Sequence, residues 1–250
     1  MRTLIFDIET SPILGYAWRA YNTDIIEVAQ DWQMICFAYK WLDSKQVHFV
    51  RGNVDDPWDD DEMVKQLWEL FNEADVIIGH NMNKFDKRKS NALFMRKGLT
   101  RPAPFRTVDT LKVARKNFHN TSNRLGELAK LLDIDEGKVE HQGFMSLFKG
   151  CMLQNDPKVW RLMKRYNKRD ITLTEDVYKR LLSWMPTTHP KDLNKPDCCI
   201  VCKSDNLIRK GFRETNTYRY QRYLCNDCGS WMRSDAREPL KKPRFKGIPG

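Results

Sequence analysis

The feature that most constrains the fold is a short apolar segment near the N-terminus that ends in two acidic residues. Residues 2–8 read RTLIFDI, and the acids are Asp7 and Glu9. Side chains of a β-strand alternate between its two faces, so Asp7 and Glu9 project from the same face at the carboxyl end of the predicted strand. Such a pair suits divalent metal ions, and two ions about 3.5–4 Å apart need still more anionic ligands. Other segments must supply them.

Two later segments carry further acids. Asp86 ends the sequence GHNMNKFD, and Asp170 ends YNKRD in a segment with helical apolar spacing. Tyr166 and Asp170 are four residues apart, so in a helix they share a face and lie about 6 Å apart along the axis. The phenol is therefore expected to hydrogen-bond a water molecule polarised by an ion that Asp170 holds. With an ordinary pKa near 10, Tyr166 is predicted to orient that water rather than to deprotonate it.

Hydrophobic periodicity predicts an α/β fold with a mixed sheet flanked by helices. A strand meander precedes an alternation of helices and strands, and the helical connections suit parallel pairing of the later strands. Strands are predicted near residues 3–8, 34–42, 47–51, 76–79 and 105–108, and helices near residues 63–72, 85–97, 124–132 and 159–184.

The acidic motifs together resemble a known family. DIET at residues 7–10, Asn-x3-Phe-Asp from Asn81 to Asp86, and Tyr-x3-Asp from Tyr166 to Asp170 follow one another along the chain. This order resembles the DEDD superfamily (DnaQ-like) of 3′→5′ exonucleases, in its tyrosine subclass, on a ribonuclease H-like fold. The histidine subclass has its residue five positions before the last aspartate, where this chain has Arg165. The resemblance covers residues 1–185.

The resemblance implies a role for each acid. Asp7 would bridge two metal ions, Glu9 and Asp170 would complete the site of the water-bearing ion, and Asp86 would act near the second ion, partly through water. Two Mg²⁺ ions are expected because the predicted ligands are all oxygen atoms, with Mn²⁺ as a substitute. Catalytic residues are thus predicted to be Asp7, Glu9, Asp86, Tyr166 and Asp170.

Several residues near these motifs are candidates for substrate contact. Asn81 belongs to the family motif, Thr10 adjoins the acidic pair, and Lys84 is one of four cations around Asp86, the others being Lys87, Arg88 and Lys89. These cations suit phosphate contact, and a solvated helix face is the alternative. Tyr16 and Trp18 suit either stacking on a terminal nucleotide or packing in the core.

Two other polar residues are interpreted as structural. Asp109 could replace Asp86 as the third ligand, but it stands between a short strand and a helical start, where an N-cap is the simpler interpretation. His80 ends the strand at residues 76–79 and is also interpreted as structural.

The C-terminal fifth carries a cysteine cluster. Cys199 and Cys202 form one Cys-x2-Cys pair, and Cys225 and Cys228 form a second. Four thiolates suit tetrahedral Zn²⁺, and a closed four-sulfur shell is structural because it leaves no position for water. We therefore predict one structural Zn²⁺ in a zinc ribbon, with Cys198 in place of Cys199 as an alternative ligand. The isolated Cys36 and Cys151 are interpreted as buried and reduced.

The segment between the two pairs interleaves arginine with tyrosine. Residues 217–224 read TYRYQRYL, and strand alternation places Tyr218, Tyr220 and Arg222 on one face and Arg219 on the other. Arginine and tyrosine together suit phosphate contact and base stacking, so Arg219 and Arg222 are predicted to bind substrate. A ribbon that is structural or binds a protein is the alternative.

Charge and hydropathy limit the class of protein. The net charge is +10, and residues 201–250 hold 12 Lys and Arg against 5 Asp and Glu, which favours a polyanionic partner. No run approaches the roughly 20 apolar residues of a membrane span, and no signal peptide is recognised, so we expect a cytoplasmic protein without a membrane partner.

These observations predict four segments and one leading function. The segments are a DEDD-type exonuclease domain at 1–185, a linker at 186–196, the zinc ribbon at 197–234 and a basic flexible tail at 235–250. The predicted function is metal-dependent 3′→5′ cleavage of DNA at a 3′ end, with ribbon and tail holding the strand and with a replication or repair protein as a possible partner. The alternatives are a resolvase-like structure-specific endonuclease and a non-catalytic nucleic-acid-binding protein.

Overall fold

The chain divides into two compact units, Met1–Tyr178 and Lys179–Gly250. The computed structural model describes residues 2–42, 44–134, 143–185, 197–215 and 217–240. The linker predicted at 186–196 lies outside the described residues. Within the described part of the chain, no helix combines the length and apolar character that a bilayer span requires.

The first unit alternates strands and helices after an initial run of strands. Its elements in chain order are β1 (Thr3–Thr10), β2 (Leu14–Tyr16), β3 (Glu27–Gln30), β4 (Met34–Trp41), β5 (His48–Arg51), α1 (Asp61–Glu73), β6 (Val76–Gly79), α2 (Asp86–Arg96), β7 (Arg106–Asp109), α3 (Thr110–Asn117), α4 (Leu125–Leu131), α5 (Phe144–Phe148), a π-helical turn (Lys149–Leu153) and α6 (Pro157–Leu181), which runs into the second unit.

Five strands form the central sheet in the order β5-β4-β1-β6-β7. The pairs β5–β4 and β4–β1 are antiparallel, whereas β1–β6 and β6–β7 are parallel. Helices α1 and α2 provide the connections that parallel strands require. The predicted α/β fold with a mixed sheet flanked by helices is therefore confirmed, and β1 occupies the middle of the sheet.

The two faces of β1 serve different purposes. Leu4, Phe6 and Ile8 are buried in a core cluster together with apolar residues of α1 and α2. Asp7, from the opposite face, accepts a hydrogen bond from Asn167 of α6. One face of the central strand thus anchors the sheet, and the other presents acidic side chains to α6.

A second cluster packs α6 and its neighbours against β4. It contains Ile35 and Cys36 of β4, Leu147 and Phe148 of α5, Cys151 and Met152 of the π-helical turn, and Trp160 and Met163 of α6. Cys36 and Cys151 are both fully buried, as predicted.

The hairpin formed by β2 and β3 differs from the expectation. These strands pair only with each other and make a separate two-stranded sheet. Tyr16 and Trp18 are 65% and 87% exposed, so the alternative that they pack in the core is wrong. Periodicity missed the hairpin because its apolar residues do not share one buried face.

The second unit is built around a long hairpin. Its elements are a 3₁₀ turn (Leu182–Trp184), β8 (Leu207–Glu214), β9 (Tyr218–Cys225), β10 (Trp231–Arg233) and β11 (Glu238–Pro239). Strands β8, β10 and β11 each pair antiparallel with β9. Because β11 pairs with β9, the ordered module continues past the end predicted at residue 234, and the tail predicted from residue 235 begins too early. Residues 241–250 of that tail lie outside the described residues.

Candidate functional site

Three carboxylates from two elements converge at the carboxyl end of β1. One oxygen each from Asp7, Glu9 and Asp170 lies within 4.8 Å of the other two. Oxygen ligands that bind one Mg²⁺ at about 2.1 Å lie within about 4.2 Å of each other. The donor set therefore fits one hard divalent cation after a small adjustment of the side chains.

Asp86 lies beside this group, at the first position of α2. Its carboxylate is buried, and Oδ1 accepts a hydrogen bond of 3.2 Å from the backbone N–H of Ile8. The chain at the end of β6 lies close to β1 and to the loop before α2, since a Cβ atom on Gly79 would stand 3.3 Å from the backbone oxygen of Phe6 and 2.7 Å from the side chain of Met82. A glycine at residue 79 permits this approach. It helps to place Asp86 against the strand that carries Asp7 and Glu9.

Burial raises the pKa values of all four carboxyl groups, and the charges of neighbouring acids of the centre add to this effect for Asp7 and Glu9. Burial is the largest cause for Asp7, whose pKa lies well above its usual range, and the charges of Asp86, Glu9 and Asp170 add to it. Burial, Asp170 and Asp86 raise the pKa of Glu9 to about 8. Burial raises the pKa values of Asp86 and Asp170 to about 6. In the absence of a cation this site holds protons near neutral pH, which is the behaviour expected of a site that exchanges protons for metal ions.

Tyr166 and Asp170 share one face of α6, as predicted. The Tyr166 hydroxyl hydrogen-bonds the Asp170 side chain, and this contact lowers the pKa of Asp170 against the larger effect of burial. Burial first and the Asp170 charge second raise the pKa of Tyr166 far above 10. The phenol is therefore a hydrogen-bond donor at neutral pH. Arg165, which stands where the histidine subclass has its histidine, is exposed.

Asn167 is a site residue that the sequence analysis missed. It is fully buried, and Nδ2 donates a hydrogen bond of 2.8 Å to Oδ2 of Asp7. This contact lowers the pKa of Asp7 against the effects of burial and of neighbouring charges. The signal in the sequence was a polar residue on the apolar stripe of α6, between Met163 and Ile171 at four-residue spacing, both of which are buried.

Asp109 and His80 organise the neighbouring loop. Asp109 accepts the backbone N–H of Lys112 at 3.2 Å, which confirms it as the N-cap of α3. Its oxygens also accept the N–H groups of Asn81 and Asn83 at 3.0 Å each. The ring nitrogens of His80 contact Thr110 Oγ1 at 2.9 Å and the carbonyl oxygen of Asn123 at 3.0 Å.

The substrate-contact residues predicted in the first unit end or follow β1, or precede α2, in the chain. Thr10 is buried directly after a register shift in the pairing of β1 with β4. Asn81 has left-handed backbone geometry, with φ of 64°, and Lys84 is exposed just before α2. The exposed rings of Tyr16 and Trp18 belong to the β2–β3 hairpin, which follows β1. Their contact with substrate stays a prediction.

In the second unit, the side chains of Cys199, Cys202, Cys225 and Cys228 converge within 4.8 Å of one another. The Cys199–Cys228 and Cys202–Cys225 sulfur pairs are each 3.6 Å apart. This spacing is too long for a disulfide of about 2.05 Å and close to the roughly 3.8 Å between sulfurs of tetrahedral Zn²⁺ with 2.3 Å bonds. Cys198 lies outside the group.

Both Cys-x2-Cys turns have the same backbone form. The N–H of Lys203 donates to the Cys199 carbonyl oxygen at 3.0 Å, and the N–H of Gly229 donates to that of Cys225 at 2.9 Å. Lys203 and Gly229 have φ values of 67° and 71°, in the left-handed region. Each turn thus reverses directly after its second cysteine, which points both sulfurs of a pair inward.

One face of β9 carries a row of arginine–aromatic contacts. The Arg237 guanidinium lies 4.3 Å from the ring centre of Tyr218, that of Arg233 lies 3.9 Å from Tyr220, and that of Arg222 lies 5.2 Å from the Trp231 ring. Arg219 is on the other face, where Nε is 2.7 Å from a carboxylate oxygen of Glu238. Of the two predicted substrate-contact arginines, Arg222 therefore joins the row, whereas Arg219 is neutralised by an ion pair.

The chain is similar to known proteins in its first unit and in its fold. A family model described as RNase_H superfamily matches residues 4–182. No curated protein matches the sequence. Among solved structures, the family B DNA polymerase from the hyperthermophilic archaeon Pyrobaculum calidifontis aligns with a TM-score of 0.56 and 16% identity, over 88% of this chain and 32% of the polymerase chain.

These similarities differ in what they establish. This chain spans about a third of the length of the polymerase that it matches, and an identity of 16% shows a shared fold alone. The family model covers well over half of the chain and includes all four acidic residues and Tyr166. The protein therefore belongs to the RNase H superfamily.

Proposed function

We propose that this protein is a divalent-metal-dependent 3′→5′ exonuclease that hydrolyses the phosphodiester bonds of DNA. The observation that carries the proposal is the convergence of Asp7, Glu9 and Asp170, with Asp86 adjacent and Tyr166 bonded to Asp170. These residues come from three distant segments. Their meeting in one buried acidic centre has no use in packing and costs free energy unless a cation is bound.

Each residue has a role that follows from its position. Asp7, Glu9 and Asp170 would hold one ion, and Asp86 would serve a second. Bound there, Mg²⁺ or Mn²⁺ would supply an activated water and stabilise charge on the leaving oxygen. The phenol of Tyr166 holds Asp170 in place and orients the attacking water. Asn167 holds the carboxylate of Asp7 in a single orientation.

The second unit would serve binding. Its four thiolates would hold one Zn²⁺ in a closed shell, and that metal would be structural because no coordination position remains for water. The arginines on the Arg222 face of β9 lie against aromatic rings, an arrangement that presents both cationic and stacking surface to nucleic acid. Arg219 would contribute less, because Glu238 neutralises it. DNA as the substrate and a replication or repair protein as a partner are further parts of this proposal.

Cleavage of a 5′-labelled single strand of DNA tests this function. With Mg²⁺, the exonuclease proposal predicts a ladder of products that shorten from the 3′ end, and a chelator stops it. An endonuclease would give one internal cut, and a binding protein would give none. The same assay on an RNA strand of matched sequence shows whether the enzyme prefers deoxyribose or ribose in its substrate.

Substitution of the ligands links the activity to the centre. Asp7→Asn and Asp170→Asn should each nearly abolish the ladder because each removes a charged ligand, and both variants should fold. Glu69→Gln removes an exposed carboxylate of α1 and serves as the control. Turnover at the parent rate by folded Asp7→Asn would show that the activity arises elsewhere.

A further inference from the structure

A polar groove lies at the carboxyl ends of β6 and β7. It has a volume of about 780 Å³ and is lined by residues from the end of β6, from α3 and from the loop that leads into α4. This volume is within the range of about 300–1,000 Å³ that is usual for small-molecule sites. The residues with polar or charged side chains that line it are His80, Asn81, Arg115, Thr121, Ser122, Asn123 and Arg124.

The walls of the groove are held together by hydrogen bonds. His80 ties the end of β6 to the loop through the carbonyl oxygen of Asn123 and to α3 through Thr110. The side chain of Asn120 donates to that of Asn123 at 3.0 Å. The position of Asn81 is held by the Asp109 carboxylate, which accepts its N–H. These hydrogen bonds join the end of β6, the start of α3 and the loop before α4. The groove is thus a preformed surface rather than a gap between independent loops.

The charge in the groove is positive. No acidic side chain lines it, and both oxygens of the neighbouring Asp109 accept backbone N–H groups. Arg115 and Arg124 are exposed, and neither forms an ion pair with another of the residues that the structure describes. Two free guanidinium groups beside amide and hydroxyl groups match the oxygens of a phosphodiester.

The groove also adjoins the acidic centre. Strands β1, β6 and β7 run parallel, so their carboxyl ends meet at one edge of the sheet. Asn81 lines the groove and lies in the loop that leads to Asp86. A strand with one phosphodiester at the acids can therefore continue over this edge into the groove.

We propose that this groove is a phosphate-binding subsite for the nucleic-acid strand, with Arg115 and Arg124 as its cationic contacts. It binds the sugar–phosphate backbone of the strand at nucleotides away from the cleaved bond. It contacts phosphate groups rather than bases. Asn81 and Asn123 supply further hydrogen-bonding groups in the lining of the groove. The proposal rests on the proposed function, because it places the reacting phosphodiester at Asp7, Glu9 and Asp170.

A salt titration of binding tests the subsite. The full chain carrying Asp7→Asn, which prevents cleavage, is titrated with a fluorescent 12-nucleotide DNA strand, with and without Arg115→Gln and Arg124→Gln. Each lost phosphate contact should lower the magnitude of the log–log salt slope by about 0.7, so the double variant should lose about 1.4. Its affinity at about 0.1 M salt should fall about tenfold or more, equally for strands of different sequence.

A charge-matched control separates the groove from general electrostatics. Lys112→Gln with Lys116→Gln removes two exposed cations from the same helix α3, outside the groove. This control should keep the slope and affinity of the parent. Arginine variants that bind like the parent, or a control that loses as much as they do, would overturn the subsite.

Substrate length distinguishes this proposal from the proposed function. In the active chain, the arginine variants should lose more kcat/KM on the 12-nucleotide strand than on a dinucleotide, which is too short to fill the groove. An equal loss on both would contradict the subsite while leaving the nuclease intact. Groove-dependent binding in a chain that cleaves no nucleic acid would instead support the subsite and reject the nuclease.

Discussion

At the scale of single residues, burial and charge act in the same direction in the acidic centre. Asp7, Glu9, Asp86 and Asp170 are buried near one another, and burial raises the pKa of each. Repulsion by the other acids of the centre raises the pKa values of Asp7 and Glu9 further. The hydrogen bonds that oppose this come from Asn167, Tyr166 and the backbone of Ile8. A protein arranged in this way is destabilised at high pH unless a cation neutralises the site.

The metal-free protein should therefore lose stability as pH rises. Folding raises the pKa of Glu9 from 4.5 to about 8 and those of Asp86 and Asp170 from 3.8 to about 6. Between about pH 4 and pH 8 the folded state binds more protons than the unfolded state, so the free energy of unfolding falls across this window. Thermal denaturation in chelator at several pH values measures it, and Mg²⁺ should raise the Tm more at pH 8 than at pH 5.5.

Thermal denaturation of the Asp7→Asn variant in chelator, at the same pH values, provides the control for this loss of stability. Removing one buried charge should raise the metal-free Tm at pH 8 and weaken its dependence on pH. A metal-free parent whose stability increased from pH 5 to pH 8 would contradict the assigned repulsion.

Tyr166→Phe should cause a partial loss of activity, of about tenfold, because one hydrogen bond is lost and all four carboxylates remain. The hydroxyl lowers the pKa of Asp170, so its removal should also move the acid limb of the pH–rate profile to higher pH. Single-turnover rates across pH give both values. Tyr39→Phe, which removes a hydroxyl from β4, serves as the control. A pH–rate profile of Tyr166→Phe that matches the parent would show that Tyr166 contributes only to packing.

At the scale of elements, the centre depends on the position of α6 over the sheet. Lys40 of β4 forms a salt bridge with Glu175 of α6, and their side chains are only 10% and 7% exposed. Glu175 is little more than one helical turn beyond Asp170. The ion pair therefore holds α6 in register with the strands, close to the point where Asp170 meets the acids of β1.

Lys40→Met should destabilise the protein by about 3–5 kcal/mol, because it leaves the charge of Glu175 buried without its lysine partner. The double variant Lys40→Met/Glu175→Leu should recover most of that loss. Urea denaturation measures both. Glu73→Gln, which breaks the half-exposed pair with Arg2, should cost less than about 1 kcal/mol. Equal costs for Lys40→Met and Glu73→Gln would show that the buried pair contributes nothing to the position of α6.

At the scale of the whole molecule, the acidic centre and the cationic face of β9 belong to different units of the chain. The first unit contains the acidic centre, and the second contains the four thiols and the arginine–aromatic face of β9. The second unit has few buried apolar residues, and we propose that a metal bound by its four thiols contributes to its stability. Loss of zinc should therefore affect binding of nucleic acid more than hydrolysis.

Cys225→Ser should release zinc, measured as metal content per chain, while Cys198→Ser should retain it because Cys198 lies outside the group of four thiols. Cys225→Ser should also bind long DNA more weakly, with a shallower salt slope, and keep Mg²⁺-dependent cleavage of short strands. Zinc retained by Cys225→Ser and lost by Cys198→Ser would reverse the ligand assignment.

The features that the sequence determined by itself are local. Strand alternation in β1 placed Asp7 and Glu9 on one face, helical spacing placed Tyr166 with Asp170, and the two Cys-x2-Cys pairs identified the cluster of thiols. The order of apolar segments was sufficient to predict the mixed sheet. These features depend on the periods of strand and helix and on short spacings, which the chain carries within each segment.

The tertiary structure alone decided which distant groups meet. Asn167 binds Asp7 across 160 residues, Glu238 neutralises Arg219, and Arg115 joins Arg124 in one groove. The exposure of the β2–β3 hairpin and the pairing of β11 with β9 belong to the same class. No local period encodes these contacts, because each depends on how whole elements pack. The sequence therefore predicts the acids, and only the packing of α6 and α2 against β1 brings them together.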